Sequence, residues 1–205
     1  MKEKIAAIIL MFLLMALLPF IAAKCSQSSA NSKTTMSTAD TPSKTDEQND
    51  YEKILCALTA AKYKDNYCNE TIKALAVIQN TNYRIDPDSF SDEDFLYKEN
   101  ASGNILETYT EIEKAVKSVK EKTLCINNKA FFIPFSDSSN GLTGLSDEYE
   151  YIQSVASPWD CFLKDYDENT NCVGVSLSGI NYLCNNGANY TEALKWYLPN
   201  FDISE

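Results

Sequence analysis

The 26 residues from Cys25 to Asp50, CSQSSANSKTTMSTADTPSKTDEQND, contain no aromatic side chain and almost no aliphatic one. Such a stretch cannot bury enough apolar surface to offset the entropy lost on ordering it. It divides the chain into what precedes it and what can fold after it, and residues 24–50 read as a flexible linker. Before it stands an uncharged run, Ile5–Ala23, of 19 residues. A helix needs about 20 such residues to cross a bilayer. Lys2 and Lys4 lie in the four-residue stub before the run, which favours a cytoplasmic N-terminus and places the remainder outside. The same run also suits a secretion signal cleaved after Ala23. A lipid anchor on Cys25 is disfavoured by Lys24, where a small residue is wanted. The expectation is a single-pass protein of the cell membrane, its transmembrane helix followed by the linker and one extracytoplasmic domain over residues 51–205.

The charge balance narrows the partners. With 18 basic and 29 acidic side chains the net charge is −11, which argues against nucleic acid, whose phosphates require a basic footprint. There is no histidine. That removes a histidine general base, a Ser-His-Asp triad and histidine metal ligands, so no metal and no cofactor is expected. Any catalysis would fall to carboxylates, tyrosines, lysines or thiols.

Six of the seven cysteines lie beyond the linker, and none forms a Cys-x-x-Cys pair. Disulfides are possible outside the membrane. Two local pairs stand out, Cys56 with Cys68 and Cys161 with Cys172, each bracketing one loop. Buried free thiols are the alternative.

The hydrophobic pattern gives the elements. YEKILCALTAAKY is apolar but fits a helix or a buried strand equally. Asn69 can cap a helix through Tyr83, with Ile72, Leu75, Ala76 and Gln79 on one side. Leu106, Tyr109, Ile112, Val116 and Val119 recur at helical spacing. In TLCINNKAFFIPF two β-prone runs flank Asn127-Asn128-Lys129, which suits a hairpin. SDSSNG reads as a turn, and Ser157-Pro158 stops a short alternating piece that starts at Tyr149. Leu177, Ile180, Leu183 and Cys184 share one helical face, ended by Gly187. Asn189 with Glu192 makes a capping box for a last helix whose buried stripe is Tyr190, Leu194 and Tyr197. The predicted fold class is α+β, with helices packed around a small antiparallel sheet.

Four segments in order carry a family resemblance: ETIKALAVIQNTNY, EIEKAVKSVKEKTLCINNKAFFIPF, YEYIQSVASPWD and GVSLSGINYLCNNGANYTEALKWYLPNFDI. Together they resemble the extracytoplasmic domain of the stage II sporulation protein D family and its amidase-enhancer relatives, from about Tyr51 to Ile203. The resemblance implies an α/β mixture around a glycan groove and peptidoglycan lytic transglycosylase activity. That chemistry needs one sheltered carboxylic acid to protonate the leaving glycosidic oxygen, and unlike two-carboxylate hydrolysis it needs no activated water.

The acid implied by the resemblance is missing. Its position falls on Thr59 or on Lys62, depending on where the alignment is anchored, and neither can donate as a carboxylic acid. The family's Ala-Arg-Thr-Tyr becomes Gln79-Asn80-Thr81-Asn82, and its histidine-led turn becomes SDSSNG, with Ser136 in place of the histidine. Between Ser-Pro-Trp-Asp and the last turn, only a short polar loop stands where relatives carry several tens of residues. The expectation is a divergent, noncatalytic member that binds peptidoglycan glycan strands or a cell-wall amidase partner, with Thr81, Ser138, Ser139, Gly141 and Ser178 as candidate glycan contacts. An active transglycosylase with a relocated acid is the alternative.

Overall fold

A computed structural model describes residues 44–90 and 105–205. The expected membrane segment at 5–23, the stub before it and most of the linker lie outside the described residues. Among the described residues no helix is long and apolar enough to cross a membrane.

Among the described residues, five α-helices, a three-stranded antiparallel sheet and a two-stranded parallel pair make an α+β fold. Helix α1 is Lys44–Ala61, which resolves YEKILC as helix and takes in the last seven residues of the expected linker. Those residues extend a helix already nucleated by its packed half, and propagation costs far less than nucleation. Helix α2 is Asn69–Ile85. It starts at Asn69, one residue earlier than expected, because Cys68 takes the cap position and its backbone N–H donates to Asn181 Oδ1 at 3.2 Å. Helix α3 is Ile105–Val119, matching the periodic apolar face.

Strand β1, Thr123–Ile126, turns through Asn127 and Asn128, both at positive φ (52° and 62°), into β2, Lys129–Ala130. Asparagine tolerates that conformation, which the tight hairpin turn requires. The chain then forms β3, Phe135–Ser136, and much later β4, Val175–Ser176, which pairs parallel to it. Gly174 leads into β4 at φ +80°, and a Cβ there would stand 2.1 Å from the Pro134 carbonyl oxygen. Helices α4, Leu177–Asn185, and α5, Tyr190–Tyr197, follow as the spacing predicts. The Asn189–Glu192 capping box forms in both directions, at 2.9 and 3.0 Å. Strand β5, Asp202–Ser204, returns to pair with β1, so the sheet order is β2-β1-β5.

Helix α2 is the centre of the domain. It is buried almost all round, from Thr71 through Asn82, and packs on α1, α3, α4, α5 and β1. Ala74 and Ala76 let those neighbours approach closely, while Ile72, Leu75 and Ile78 fill the space between them. Each such large aliphatic side chain contributes about 1.5–3 kcal/mol by leaving water.

The polar run Gln79-Asn80-Thr81-Asn82 lies inside this core, and each side chain fastens a different element. Gln79 Nε2 donates to the Leu58 carbonyl of α1 at 3.1 Å. Asn80 Nδ2 donates to the Lys120 and Lys122 carbonyls beyond α3. Thr81 Oγ1 receives the Leu124 N–H of β1 at 2.9 Å. Asn82 acts as a peptide edge for Ile133, receiving its N–H at 2.7 Å and donating to its carbonyl at 2.9 Å. Asn82→Ala leaves both Ile133 groups unpaired in a dry interior. The expected loss is about 2–4 kcal/mol in urea denaturation, since each orphaned group costs about 1–3 kcal/mol.

Two carboxylates tie helices together. Glu52 on α1 accepts from Lys120 at 2.8 Å and lies 3.4 Å from Lys117 of α3. Glu70, in the first turn of α2, accepts from Lys73 at 2.5 Å and from the Tyr190 N–H that opens α5 at 2.9 Å. Burial alone would raise both carboxyls. The lysines, and for Glu70 the Tyr190 amide as well, outweigh it and hold both below the ordinary 4.5. Groups so depressed bind protons more tightly in the unfolded chain, so their contribution is complete above pH 4.5 and is lost as pH falls through the lower folded values. The melting temperature is expected to stay level from neutrality to about pH 5 and to fall below it. Glu70→Gln should flatten part of that fall.

Candidate functional site

The Ser-Pro-Trp-Asp segment explains the architecture around the last third of the chain. Asp160 sits on a short 3₁₀ turn, Pro158–Phe162, and is 1 % exposed. Its Oδ2 receives the Ser139 N–H at 2.9 Å and the hydroxyls of Ser139, Ser157 and Ser176 at 2.7, 2.9 and 2.6 Å. Three separate segments are thereby drawn to one charge. Ser157 gives its proton to Asp160, so at 2.6 Å it receives that of Tyr197, whose oxygen in turn accepts the Trp159 indole N–H at 3.1 Å. Ser176 also caps α4 by accepting the Gly179 N–H at 3.1 Å. Asp160 is the one buried carboxylate among the residues whose side chains are described.

Beside this hub opens a polar cleft of about 350 Å³. One wall is the connection between α1 and α2, with Lys64, Asn66 and Tyr67. The opposite wall is Asp137 and Ser138, which follow β3, with Ser178 from the first turn of α4. Leu163 and Asp165, just after the 3₁₀ turn, edge it. Lys64 bridges the walls by an ion pair with Asp137 at 3.0 Å. The Asp137 carbonyl accepts from the Ser178 N–H and hydroxyl at 2.9 and 2.7 Å, which fixes the turn against α4.

Tyr67 is the unusual member. Its side chain is 6 % exposed, yet its buried hydroxyl has no hydrogen-bond partner. Burial, with the Asp137 charge adding to it, raises the phenol far above its ordinary range, so it remains a proton-bearing donor at any physiological pH. Buried polar groups are satisfied in the great majority of cases, so this exception on a cleft wall marks Tyr67 as a candidate contact for a ligand.

An aromatic cluster lies one turn further along α4. Tyr182 stands one turn beyond Ser178, so both share a face of the helix. Its ring stacks on Trp159 at 5.1 Å and 9°, and Trp196 leans on Trp159 at 5.5 Å. Tyr182 and Trp196 are 49 % and 46 % exposed.

The expected site residues separate into two groups. Ser138 and Ser178 line the cleft. Thr81 and Ser139 are buried, and their hydroxyls serve the Val77 carbonyl and Asp160 respectively. Gly141 lies at φ +100° in the turn pinned by Asp160, where a Cβ would stand 2.6 Å from Cys161 Sγ. Thr81 and Ser139 are closed off from a glycan, and Gly141 holds the turn, its N–H donating to Ser139 Oγ at 3.2 Å and its carbonyl accepting the Ser157 N–H at 2.8 Å. Of the two candidates for the acid position, Thr59 is fully buried and bonds the Leu55 carbonyl, while Lys62 is exposed at the end of α1. Asp137 and Asp165 do line the cleft, but Asp137 is 66 % exposed and paired to Lys64, and Asp165 is exposed as well. A general acid requires a carboxyl sheltered from water, and neither has that shelter.

The six described cysteines are free thiols, so neither local bridge is formed. Cys56 lies against Tyr109 of α3, whereas Cys68 faces Thr71 at 3.3 Å and α4. Cys161 is exposed beside the Asn140 carbonyl, whereas Cys172 is buried against Ser136.

No protein-family model matches the chain, and no curated protein matches it.

Proposed function

We propose that this chain is a membrane-tethered, extracytoplasmic module of the stage II sporulation protein D type, which holds peptidoglycan glycan strands without cutting them. The observation that carries the reading is the Tyr67 hydroxyl, unpaired and buried on the wall of a polar cleft that contains no sheltered carboxylate. Sugar rings offer what such a site recognises. Their hydroxyls and acetamido groups accept from Tyr67 and pair with Ser138, Ser178 and Asn66, and their apolar faces stack on rings such as Tyr182 and Trp196. Lys64 supplies a positive charge for a muramic carboxylate.

The test is co-sedimentation of the detergent-solubilised full chain with glycan strands stripped of stem peptides. Retention without release of anhydro-sugar ends is expected. Failure to bind would overturn the reading, and anhydro products would replace it with the transglycosylase reading, for which Asp137 and Asp165 are the carboxylates at hand. Tyr67→Phe provides the sharper result. It is expected to weaken glycan retention at least several-fold while raising stability by about 1 kcal/mol, because it deletes an unsatisfied buried hydroxyl. A purely structural tyrosine would not give opposite signs in the two measurements.

A further inference from the structure

Both walls of the cleft carry a thiol at their far ends. Cys68 closes the connection that supplies Lys64, Asn66 and Tyr67, and Cys184 lies in the last turn of α4, whose first turn supplies Ser178. Asn181, three residues before Cys184, braces the two walls. Its Oδ1 accepts from the Cys68 N–H at 3.2 Å and the Thr71 hydroxyl at 2.9 Å, and its Nδ2 donates to the Asn66 carbonyl at 3.2 Å. The two thiols share one junction: Cys68 Sγ is 3.3 Å from Thr71 Oγ1, and Cys184 lies one turn along α4 from Asn181, on the helix face that holds both Cys68 and Thr71. The remaining described cysteines have other neighbours, among them Cys125 against the Asp202 carbonyl and Ser204 hydroxyl.

We propose that Cys68 and Cys184 form an intrachain disulfide that staples the two walls of the cleft when the chain meets a small-molecule disulfide oxidant. Residues so far apart in sequence are brought together only by the fold, so the bond records the native arrangement. Cys68 is the more exposed thiol, whereas burial, reinforced by the nearby Cys68 sulfur, pushes Cys184 up to about 12. Cys68 therefore reacts first. As the thiolate it attacks one sulfur of the oxidant, forms a mixed disulfide and expels one thiolate. Cys184 then gives up its proton, attacks the Cys68 sulfur and expels the second thiolate. Two protein thiols lose two electrons and two protons, and one oxidant disulfide becomes two thiols.

The experiment treats the full chain with oxidised glutathione, blocks free thiols under denaturing conditions and maps the unreduced peptides. The expected product joins the peptides of Cys68 and Cys184, with none of Cys25, Cys56, Cys125, Cys161 and Cys172 in a protein cross-link. The melting temperature should rise by roughly 10 °C, as expected for closing a loop of this length in a domain of this size, and should return on reduction. Cys184→Ser should abolish the cross-link and the shift together, whereas Cys161→Ser should retain both. A wild-type map showing either thiol in another pairing, held as a stable glutathione adduct, or unreacted would overturn the proposal. Because the map reads a covalent bond, it stands or falls separately from glycan binding.

Discussion

Asp160→Ala is expected to lower stability by about 4–5 kcal/mol, the range for breaking a buried charged network by removing its central partner. That is a large share of the ~5–15 kcal/mol available to a domain. One carboxylate oxygen receives four donors, so its removal strands the Ser139 amide and three serine hydroxyls together. Urea denaturation followed by circular dichroism measures the loss. Asp160→Asn, which keeps an acceptor oxygen but places an amide against serine donors, should fall between the two. A loss under about 1 kcal/mol for the alanine variant would mean that the segments around Ser139, Ser157 and Ser176 hold their places without the charge.

Gly179→Ala should cost about 2–4 kcal/mol, from forced repacking together with a broken buried hydrogen bond. Alanine is the better helix former by about 1 kcal/mol, so propensity alone predicts the opposite sign. A Cβ at Gly179 would stand 1.8 Å from the Tyr197 hydroxyl, 2.6 Å from Trp159 Nε1 and 2.7 Å from Ser157 Oγ. Those three atoms form the relay that ends on Asp160, so the added methyl group breaks the same network from its other side. The chain has two tryptophans, Trp159 and Trp196, and they lean on one another. Intrinsic fluorescence therefore reports this region directly, and a shifted emission maximum should accompany the loss of stability. Because Gly179 and Asp160 act on shared atoms, the double variant should cost less than the sum of the two single changes.

What the sequence disclosed was local. The apolar spacing of Tyr109, Ile112, Val116 and Val119 placed α3, paired asparagines placed the hairpin, and Asn189 with Glu192 placed the start of α5, because each signal acts over a few residues. YEKILC stayed ambiguous because that part of α1 packs on both α2 and α3 and is apolar on more than one side. The side chain of Asn69 suits the cap of α2, while the structure caps the helix at Cys68 and holds that residue's N–H through Asn181, far along the chain. The resemblance points to Ser138 and Ser178, which line the cleft. It does not point to Lys64, Tyr67 or Asp137, since an isolated tyrosine or a surface lysine carries no pattern of its own. Gln79-Asn80-Thr81-Asn82 looked like an eroded site and is a set of core fasteners, a role that becomes visible only when β1 and Ile133 lie against α2. Sequence proximity suggests Cys56 with Cys68 and Cys161 with Cys172, whereas the fold gives the two members of each pair different neighbours.

The middle strand of the sheet has a partner on each side that arrives at a very different time during synthesis. Lys129–Ala130 follows β1 at once, whereas Asp202–Ser204 comes from the far end of the sequence. Until those last residues emerge, one edge of Thr123–Ile126 stays open and Leu124 lacks Ile203 across from it. A nascent chain halted anywhere before residue 202 would present that bare edge to its surroundings, ready to recruit a foreign strand.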